Sequence, residues 1–426
     1  MKLGIVGAGF TGMAAAYDLA QAGHEVAVFE AQAAAGGLAG GFKARHWDWY
    51  LEKYYHHWFA SDHDLKRWLR ALNLASNLIY RQPSTMVYFQ RRFYRFDSPL
   101  AVLKFPGLTL SVKSRFAAVT AYLKYVARWQ SLEAVSASAW LTQHYGLKAY
   151  RAVWQPLLEG KFGPYSRQVN MAWMWARLKA RTPSLGTYRG GFQTCSHDLV
   201  AALTRRGVTF HFNTPITRLK PHSQGLTLFS QSGSHRFDRV LLTTPPALTA
   251  KISPFLPSAY LKSLLEQPFL GAIMLILSLK QPLTHSYWYN LPKAAGFPFL
   301  ALVEHTNFVS PRYFGGEHLV YCGDYLLPHH HRLKASPDQL LQAYLPGLQK
   351  LNPAFTPDWI NQAWVFQTAY AQPVPGLNHS QKIPLLVTPH PHLFFAGLAH
   401  VYPWDRGTNY AVALGRRVAQ LMLQSL

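Results

Sequence analysis

Three glycines near the start of the chain have the spacing that a backbone turn needs to approach a diphosphate. Gly7, Gly9 and Gly12 lie between a predicted strand, Lys2–Val6, and a predicted helix, 13–22. Gly7 permits the tight turn, Gly9 lets the backbone approach a pyrophosphate, and Gly12 lets the helix pack close to the strand. Because a helix N-terminus attracts anions, the pattern predicts a dinucleotide site at this turn.

Residues that follow the glycines extend this site. Phe10 and Thr11 lie at the start of the predicted helix, where phosphates would face its positive end. Glu30 ends a second predicted strand, 25–30, at a position where an acid accepts hydrogen bonds from ribose hydroxyls. An acid there disfavours a 2′-phosphate, so NADP is not expected. Gly36 and Gly37 would let a loop run close past the bound cofactor.

Five side chains elsewhere could handle protons or orient a substrate. His56 and His57 titrate near neutral pH when unperturbed, and only one of them is expected to face a cavity because neighbours point in different directions. Lys161 lies in a glycine-bounded turn, where it could orient an anionic substrate or the edge of a cofactor. Glu304 follows a predicted strand, 299–303, and is adjacent to His305, as in a proton-handling pair. A purely structural role stays open for each of these groups.

The surrounding segments predict an α/β fold in which one domain interrupts another. Rossmann-like signals occur at the start, middle and end of the chain, with strands predicted at 208–212, 226–230, 240–244 and 393–396 and a helix at 410–423. We therefore predict a discontinuous Rossmann-like nucleotide domain of residues 1–75, 188–250 and 385–426. Residues 76–187 and 251–384, with a long apolar strand at 269–279, would form an inserted α+β substrate domain.

Composition excludes several classes of protein. The 426 residues include 42 Lys and Arg against 19 Asp and Glu, a net charge of +23, and 49% are hydrophobic, which excludes a disordered chain. Cys195 and Cys322 are too few for a disulfide scaffold. Because charges interrupt every long apolar stretch, we expect no transmembrane helix and a reducing, cytoplasmic location. His329, His330 and His331 lack metal-site spacing, so no metal is expected.

With the nucleotide motif in place, the chain resembles the flavin amine oxidase superfamily, which includes protoporphyrinogen oxidases, carotenoid desaturases and amine oxidases. Residues 26–30 followed by Gly36, Gly37 and Leu38 are similar to its double-glycine motif, which implies FAD as the cofactor. Residues 188–192, 208–213 and 240–245 resemble its middle FAD segment, in which Ile216 is the nearest candidate to hold the adenine. Segments 54–58, 158–163, 173–177 and 304–307 look like motifs of the protoporphyrinogen-oxidase-like branch, whose members mostly have undefined substrates.

The end of the chain extends the resemblance. Residues 393–397 and 402–410 are similar to the family's C-terminal flavin segment, which implies cofactor contacts from Gly397, Asp405, Arg406, Thr408 and Asn409. Many relatives have an acid after the Ala-Gly, where this chain has Leu398, so Asp405 or Arg406 would replace that contact. Arg406 is the cation expected beside the flavin.

The resemblance implies an FAD-dependent oxidoreductase. Amine oxidases carry a lysine near the flavin on a long strand of the substrate domain, and the corresponding residue here is Met274. We therefore expect dehydrogenation or desaturation of a hydrophobic substrate, with electrons passed to a quinone or slowly to oxygen. Two alternatives stay open: a non-redox flavin mutase akin to the galactopyranose mutases, and a flavin-stabilised assembly or binding protein on a membrane.

The basic residues are concentrated in one part of the chain. Residues 43–128 contain 15 Lys and Arg against 5 Asp and Glu, and a predicted helix at 111–129 places Phe116, Val119, Leu123 and Val126 on one face. A basic amphipathic helix suits peripheral binding to an anionic membrane, with a packed helix and a solvated basic face as the alternative. No nucleic-acid motif is present, so nucleic acid is not expected as a partner, and the sequence identifies no protein partner.

Overall fold

A five-stranded parallel sheet is the centre of the nucleotide-binding region in the computed structural model, which describes residues 1–424. Its strands run in the order Val208–His211, Glu25–Phe29, Lys2–Val6, Arg239–Leu242 and Leu393–Phe395. The last four of these strands are rich in Val, Leu, Ile and Phe and are almost wholly buried, as expected for parallel strands that are covered on both faces. The edge strand Val208–His211 is only partly buried.

Helices cover one face of this sheet and an antiparallel meander covers the other. Leu3, Ile5 and Val26 pack against the helices Phe10–Gln21, His63–Ala71, Phe192–Thr204 and Thr408–Gln424. On the opposite face, Ala27 and Phe29 pack against the strands Arg218–His222, Gly225–Ser230 and Gly233–Phe237. The helices Pro246–Ile252 and Ser258–Leu265 border this second layer. The predicted Rossmann-like fold class is confirmed, with element ends shifted by a few residues.

A seven-stranded mixed sheet forms the second region. Its strands run in the order Ile360–Pro373, Phe269–Leu279, His318–Leu326, Ala301–Glu304, Trp288–Asn290, Thr85–Phe89 and Arg92–Arg95. The predicted apolar strand Phe269–Leu279 lies between Ile360–Pro373 and His318–Leu326, and all but its first residue are buried. Helix Pro337–Leu351 packs on one face through Leu340, Tyr344 and Leu348.

A helical lobe extends from this sheet. It comprises the helices Pro99–Lys104, Leu110–Tyr125, Ala137–Tyr145, Leu147–Ala149, Gln155–Phe162 and Met171–Ala180, with a π-helical turn at Tyr150–Trp154. The helix predicted at 111–129 ends at Tyr125. Phe116 and Leu123 are buried as predicted, but Val126 is 68% exposed because it lies beyond the helix end.

Two small sheets join the regions. Leu185–Tyr188 pairs with Trp58–Phe59 and with Leu78–Arg81, and Gly41–Phe42 pairs with Leu51–Glu52. Tyr188 lies in the core of the nucleotide-binding region, so the predicted boundaries at 75/76 and 187/188 fall within one small sheet. The exact domain limits stay a prediction. Among residues 1–424, every helix is too short or too polar to cross a bilayer.

Candidate active site

The carboxyl ends of the parallel strands bring the predicted nucleotide-binding residues to one edge of the sheet. Gly7 follows the first strand, Glu30 the second, and Gly397 lies two residues beyond the last. Because all five strands run in the same direction, these residues share that edge. Ligands of open α/β sheets bind outside the carboxyl ends of the strands.

The first and third glycines are required by close packing. Gly7 has φ +109°, and an added Cβ would lie 2.4 Å from Oγ1 of Thr243. That hydroxyl donates to the Val6 carbonyl at 3.0 Å and so holds the turn against the neighbouring strand. A Cβ on Gly12 would lie 2.0 Å from the Gly7 carbonyl oxygen, so the helix approaches the turn as predicted.

Gly9 differs from both because no other part of the described chain fills the space beside it. An added Cβ would meet nothing within 4 Å, and its φ of −75° and ψ of 176° suit any residue. Gly9 precedes helix Phe10–Gln21, whose first N–H groups lack intrahelical partners. The Gly36 N–H donates to the Ala8 carbonyl at 3.0 Å, and a Cβ on Gly37 would lie 3.5 Å from Cα of Gly9. The glycine turn and the loop carrying Leu38 therefore flank an open cradle with the chemistry of a pyrophosphate site.

Glu30 is fixed beside this cradle. Its two carboxylate oxygens accept from the Ala8 N–H at 2.8 Å and the Gln32 N–H at 2.9 Å, and each retains further acceptor capacity. The N–H of Thr214 donates to the Glu30 carbonyl at 2.8 Å. That contact brings the segment leading to Ile216 to the same end of the site, although the Ile216 side chain itself is buried in the core.

The C-terminal helix packs against the helix that follows the glycine turn. Helix Thr408–Gln424 crosses Phe10–Gln21 closely, and a Cβ on Gly415 would lie 2.2 Å from the Thr11 carbonyl. Thr408 and Asn409 were predicted to contact the cofactor, and in this structure their side chains accept hydrogen bonds from other parts of the protein. Thr408 accepts from the Trp58 indole N–H at 2.6 Å, and Asn409 accepts from the backbone N–H of Leu65 at 3.0 Å. Their side chains fix the helix, and contact of Thr408 and Asn409 with the cofactor stays a prediction.

A buried charge cluster lies where the helical lobe meets the C-terminal segment. One carboxylate oxygen of Asp405 accepts from Lys161 Nζ at 2.7 Å and from Arg177 at 3.2 Å. The other accepts from the Trp173 indole N–H at 3.1 Å. The helical lobe therefore holds both oxygens of Asp405, and a direct contact of Asp405 with the cofactor stays a prediction.

The cluster has more positive than negative charge. Arg406 lies with its guanidinium 4.9 Å from the ring centre of Tyr325, and no ion pair joins it to a carboxylate within residues 1–424. Burial is the largest influence on Lys161 and lowers its pKa to about 7 despite the nearby Asp405. Burial alone would raise the pKa of Asp405, but Lys161 and Arg177 outweigh it and bring the value to about 2. Three cations therefore surround one carboxylate in a largely buried place, which favours an anionic ligand group.

Two cavities meet at Arg406. One, the Tyr55 cavity, is lined by Tyr54, Tyr55, Ala272, Met274, Gly323, Asp324, Tyr325 and Arg406. A Cβ on Gly323 would lie 2.8 Å from Met274 Cε, so glycine makes room for the methionine. The other, the Gln372 cavity, is lined by Gln372, Trp173, Leu398, Tyr402, Trp404 and Arg406, among others. Oε1 of Gln372 is buried with no hydrogen-bond partner in the described chain, so it can accept from a bound group.

The predicted acid/base histidines lie outside the lining of these two cavities. His56 donates from Nδ1 to the Tyr54 carbonyl at 2.5 Å, and burial lowers its pKa to about 4. Burial lowers the pKa of His57 to about 3, and its Nδ1 has no partner in the described chain. Both rings are neutral at pH 7. From the same segment, Tyr54 and Tyr55 contribute to the cavity instead.

The predicted pair Glu304–His305 is built into the protein core. The Glu304 carboxylate accepts from the backbone N–H groups of Leu283 and Thr284 and from the Thr284 hydroxyl, at 3.1, 2.5 and 2.5 Å. Burial raises the pKa of Glu304 to about 7 and lowers that of His305 to about 3. His305 packs against Phe314 and Tyr321, and no hydrogen bond joins it to Glu304 within residues 1–424. This geometry favours the structural interpretation.

Comparison with known proteins fits this arrangement. Residues 10–423 match the family described as flavin-containing amine oxidoreductases. The chain belongs to this family. Family membership supports a flavin oxidoreductase, and the double-glycine turn, Glu30 and the C-terminal helix are the parts that would hold the flavin nucleotide. The residues present fit that group, since the Gly9 cradle is open and the Gln372 oxygen is unpaired.

Solved structures with the same fold span nearly the whole chain. A candidate protoporphyrinogen oxidase from Exiguobacterium aligns with a TM-score of 0.77 at 17% identity, covering 99% of both chains. Reduced UDP-galactopyranose mutase aligns with a TM-score of 0.75 at 14% identity, covering 99% of this chain and 95% of the mutase. Cyclohexylamine oxidase from Brevibacterium oxydans gives 0.70 at 18% identity, covering 99% and 98%. At such identities the likeness concerns the fold, and comparison with curated sequences finds no match.

Proposed function

We propose that this family member is an FAD-dependent oxidoreductase that removes a hydride or electrons from a hydrophobic substrate. The electrons would pass to a quinone or slowly to oxygen. FAD, when bound, would supply the redox chemistry, while the chain's residues bind and orient both molecules. The observation that supports the proposal is the Tyr55 cavity, where Tyr54, Tyr55 and Met274 offer apolar surface next to the Arg406 cation.

Met274 distinguishes this site from the lysine-bearing pattern of amine oxidases. It is 3% exposed, lies on the long strand Phe269–Leu279 and faces the Tyr55 cavity. A thioether can neither hold a proton nor order a water as an ammonium does. We therefore infer a dehydrogenation that does not depend on a water-linked lysine, with slow use of oxygen.

The test compares electron acceptors. The purified protein is reduced anaerobically and then mixed with air-saturated buffer or with a soluble quinone such as menadione. The proposal expects faster reoxidation by the quinone. Met274→Lys should speed reoxidation by air, whereas Met274→Leu, the matched control, should not. Equal rates with air and quinone in the wild type would contradict the proposed acceptor.

A second candidate function is supported by the charge cluster. Lys161, Arg177 and Arg406 suit a substrate with a phosphate or carboxylate, and UDP-galactopyranose mutase has the same fold. A mutase of this kind would convert a sugar nucleotide with no net consumption of an electron acceptor. Incubating the dithionite-reduced protein with UDP-galactopyranose and analysing the sugar by chromatography separates the two candidates: isomer formation would favour the mutase.

A further inference from the structure

Helix Leu110–Tyr125 presents an uncharged face to the outside of a protein whose net charge is +23. At 100° per residue, one side of the helix carries Leu110, Ser114, Ala117, Ala118, Ala121 and Tyr125, and all six are exposed. Leu110 is 75% exposed and Tyr125 is 76% exposed. The buried side, with Phe116 and Leu123, packs on the helical lobe, so both sides of this helix are largely apolar.

Neighbouring segments widen this face. Helix Pro99–Lys104 lies beside the start of Leu110–Tyr125, where Lys113 Nζ donates to the Leu103 carbonyl at 2.6 Å. Leu100 and Leu103 on that helix are 61% and 55% exposed. At the other end of the longer helix, Val126 is 68% exposed. We call these exposed residues the apolar face: Leu100, Leu103, Leu110, Tyr122, Tyr125 and Val126.

Cations border the apolar face and acids are missing from it. Residues 98–132 contain five Lys and Arg and no Asp or Glu. Lys104 and Arg128 are exposed at its two ends. Arg115 marks one edge of the helix, where its guanidinium donates to the carbonyls of Gln143 and His144 at 2.7 and 2.6 Å. Lys148 is exposed on the adjacent short helix Leu147–Ala149.

We propose that the apolar face docks on an anionic phospholipid bilayer. Leucine side chains would enter the boundary between headgroups and acyl chains, and tyrosine rings, which have an apolar body and a polar tip, would lie at the headgroup level. The surrounding cations would contact lipid phosphates. A second copy of the chain is disfavoured as the occupant, because a symmetric contact would bring two acid-free basic surfaces together.

The test is flotation of the full-length, flavin-loaded protein with vesicles. Vesicles of phosphatidylcholine alone are compared with vesicles that also contain phosphatidylglycerol, at low and high salt. We expect binding to the anionic vesicles that salt weakens but does not abolish. The double variant Leu110→Ser/Tyr125→Ser should bind at least tenfold more weakly. The matched control is Leu385→Ser/Leu248→Ser, which alters leucines that are 73% and 39% exposed in the nucleotide-binding region.

Specific outcomes would overturn the proposal. They are no flotation of the wild type with anionic vesicles, equal flotation with neutral ones, or the same loss in the Leu385/Leu248 control as in the Leu110/Tyr125 variant. Sedimentation velocity in the absence of lipid adds another: a dimer that Leu110→Ser/Tyr125→Ser dissociates would assign the face to a second copy. Flavin content and thermal unfolding of each variant show whether it is folded, so a folding defect is not mistaken for lost binding.

Discussion

Gly9→Ala should separate cofactor binding from folding, because nothing in the described part of the chain occupies the space that the added methyl group would take. The backbone at Gly9 is extended, with φ −75° and ψ 176°, so alanine fits without strain. Replacing glycine by alanine at a compatible position stabilises a protein by about 0.4–1 kcal/mol through the unfolded chain. Gly9 is also the N-cap of helix Phe10–Gln21, where alanine is less favourable than glycine, so the two effects oppose each other and the flavin-free variant should have about the stability of the wild type.

The same methyl group would enter the cradle between the glycine turn and the Gly36–Gly37 loop. It would displace the pyrophosphate from the N–H groups at the start of helix Phe10–Gln21. Losing one hydrogen bond to a charged group costs about 1.5–3 kcal/mol, which corresponds to roughly a 10- to 100-fold rise in the Kd for FAD. Calorimetric titration of the flavin-free protein with FAD measures this change directly.

Gly12→Ala supplies the contrast. Its Cβ would lie 2.0 Å from the Gly7 carbonyl oxygen, so the helix must move, and overpacking of this kind costs about 1–3 kcal/mol. Gly12→Ala should lose both stability and FAD, whereas Gly9→Ala should lose FAD alone. Unchanged FAD affinity in Gly9→Ala, or destabilisation equal to that of Gly12→Ala, would refute the assignment of the cradle.

Three further predictions concern the buried ionisable groups. Benzoate, which combines an apolar ring with a carboxylate, should perturb the flavin spectrum and bind more weakly as pH rises through about 7, because Lys161 loses its proton there. Lys161→Arg should remove this pH dependence, and the same pH dependence of benzoate binding in the variant would argue against a role for the lysine. Glu304→Ala should lower the free energy of unfolding in urea by about 3 kcal/mol or more at unchanged flavin content, since it leaves three buried donors unpaired. A decrease in the free energy of unfolding of less than about 1 kcal/mol would contradict the structural role. The pKa of His305 is about 3 in the folded protein and about 6.5 in the unfolded chain, so its contribution to the free energy of unfolding is complete above pH 6.5 and is lost as pH falls. Between pH 6.5 and pH 4, the stability of His305→Phe relative to the wild type should rise by about 1.4 kcal/mol per pH unit of acidification. Parallel curves of stability against pH would refute the burial argument.

Local signals were sufficient for the nucleotide-binding region. The glycine turn, the apolar strand before it and the acid after the second strand are set by residues close in sequence, and Lys2–Val6, Glu25–Phe29 and Arg239–Leu242 followed from their apolar runs. Glycine spacing also predicted the close approach of the first helix to the turn at Gly12. The role of Gly415 was missed, because its contact is with a helix about 400 residues earlier in the chain.

The active-site side chains depended on contacts that no local pattern encodes. Asp405 meets Lys161 and Arg177 across more than 220 residues, so the sequence could place it near the flavin segment but could not give its partners. Glu304 and His305 are adjacent in sequence, yet the strand end sends the carboxylate to the Leu283–Thr284 turn. Neighbouring positions with suitable chemistry do not by themselves make an acid/base pair.

The helix at Leu110–Tyr125 shows the limit of a periodicity argument. The sequence correctly placed Phe116 and Leu123 inside, but the remaining surface was interpreted as basic. Lys113 and Lys124 are drawn to backbone carbonyls at the helix edge, which leaves alanines, Leu110 and Tyr125 as the outer face. Only the packed structure distinguishes a basic face from an apolar face with a basic border.

The most direct test of the central claim is the absorption spectrum of the purified protein, followed by identification of the released cofactor and an anaerobic dithionite titration. The account predicts one FAD per chain, a visible flavin band that dithionite bleaches, and recovery of that band by a quinone faster than by air. Absence of flavin would contradict the cofactor site, and a bound flavin that resists reduction would contradict the oxidoreductase function.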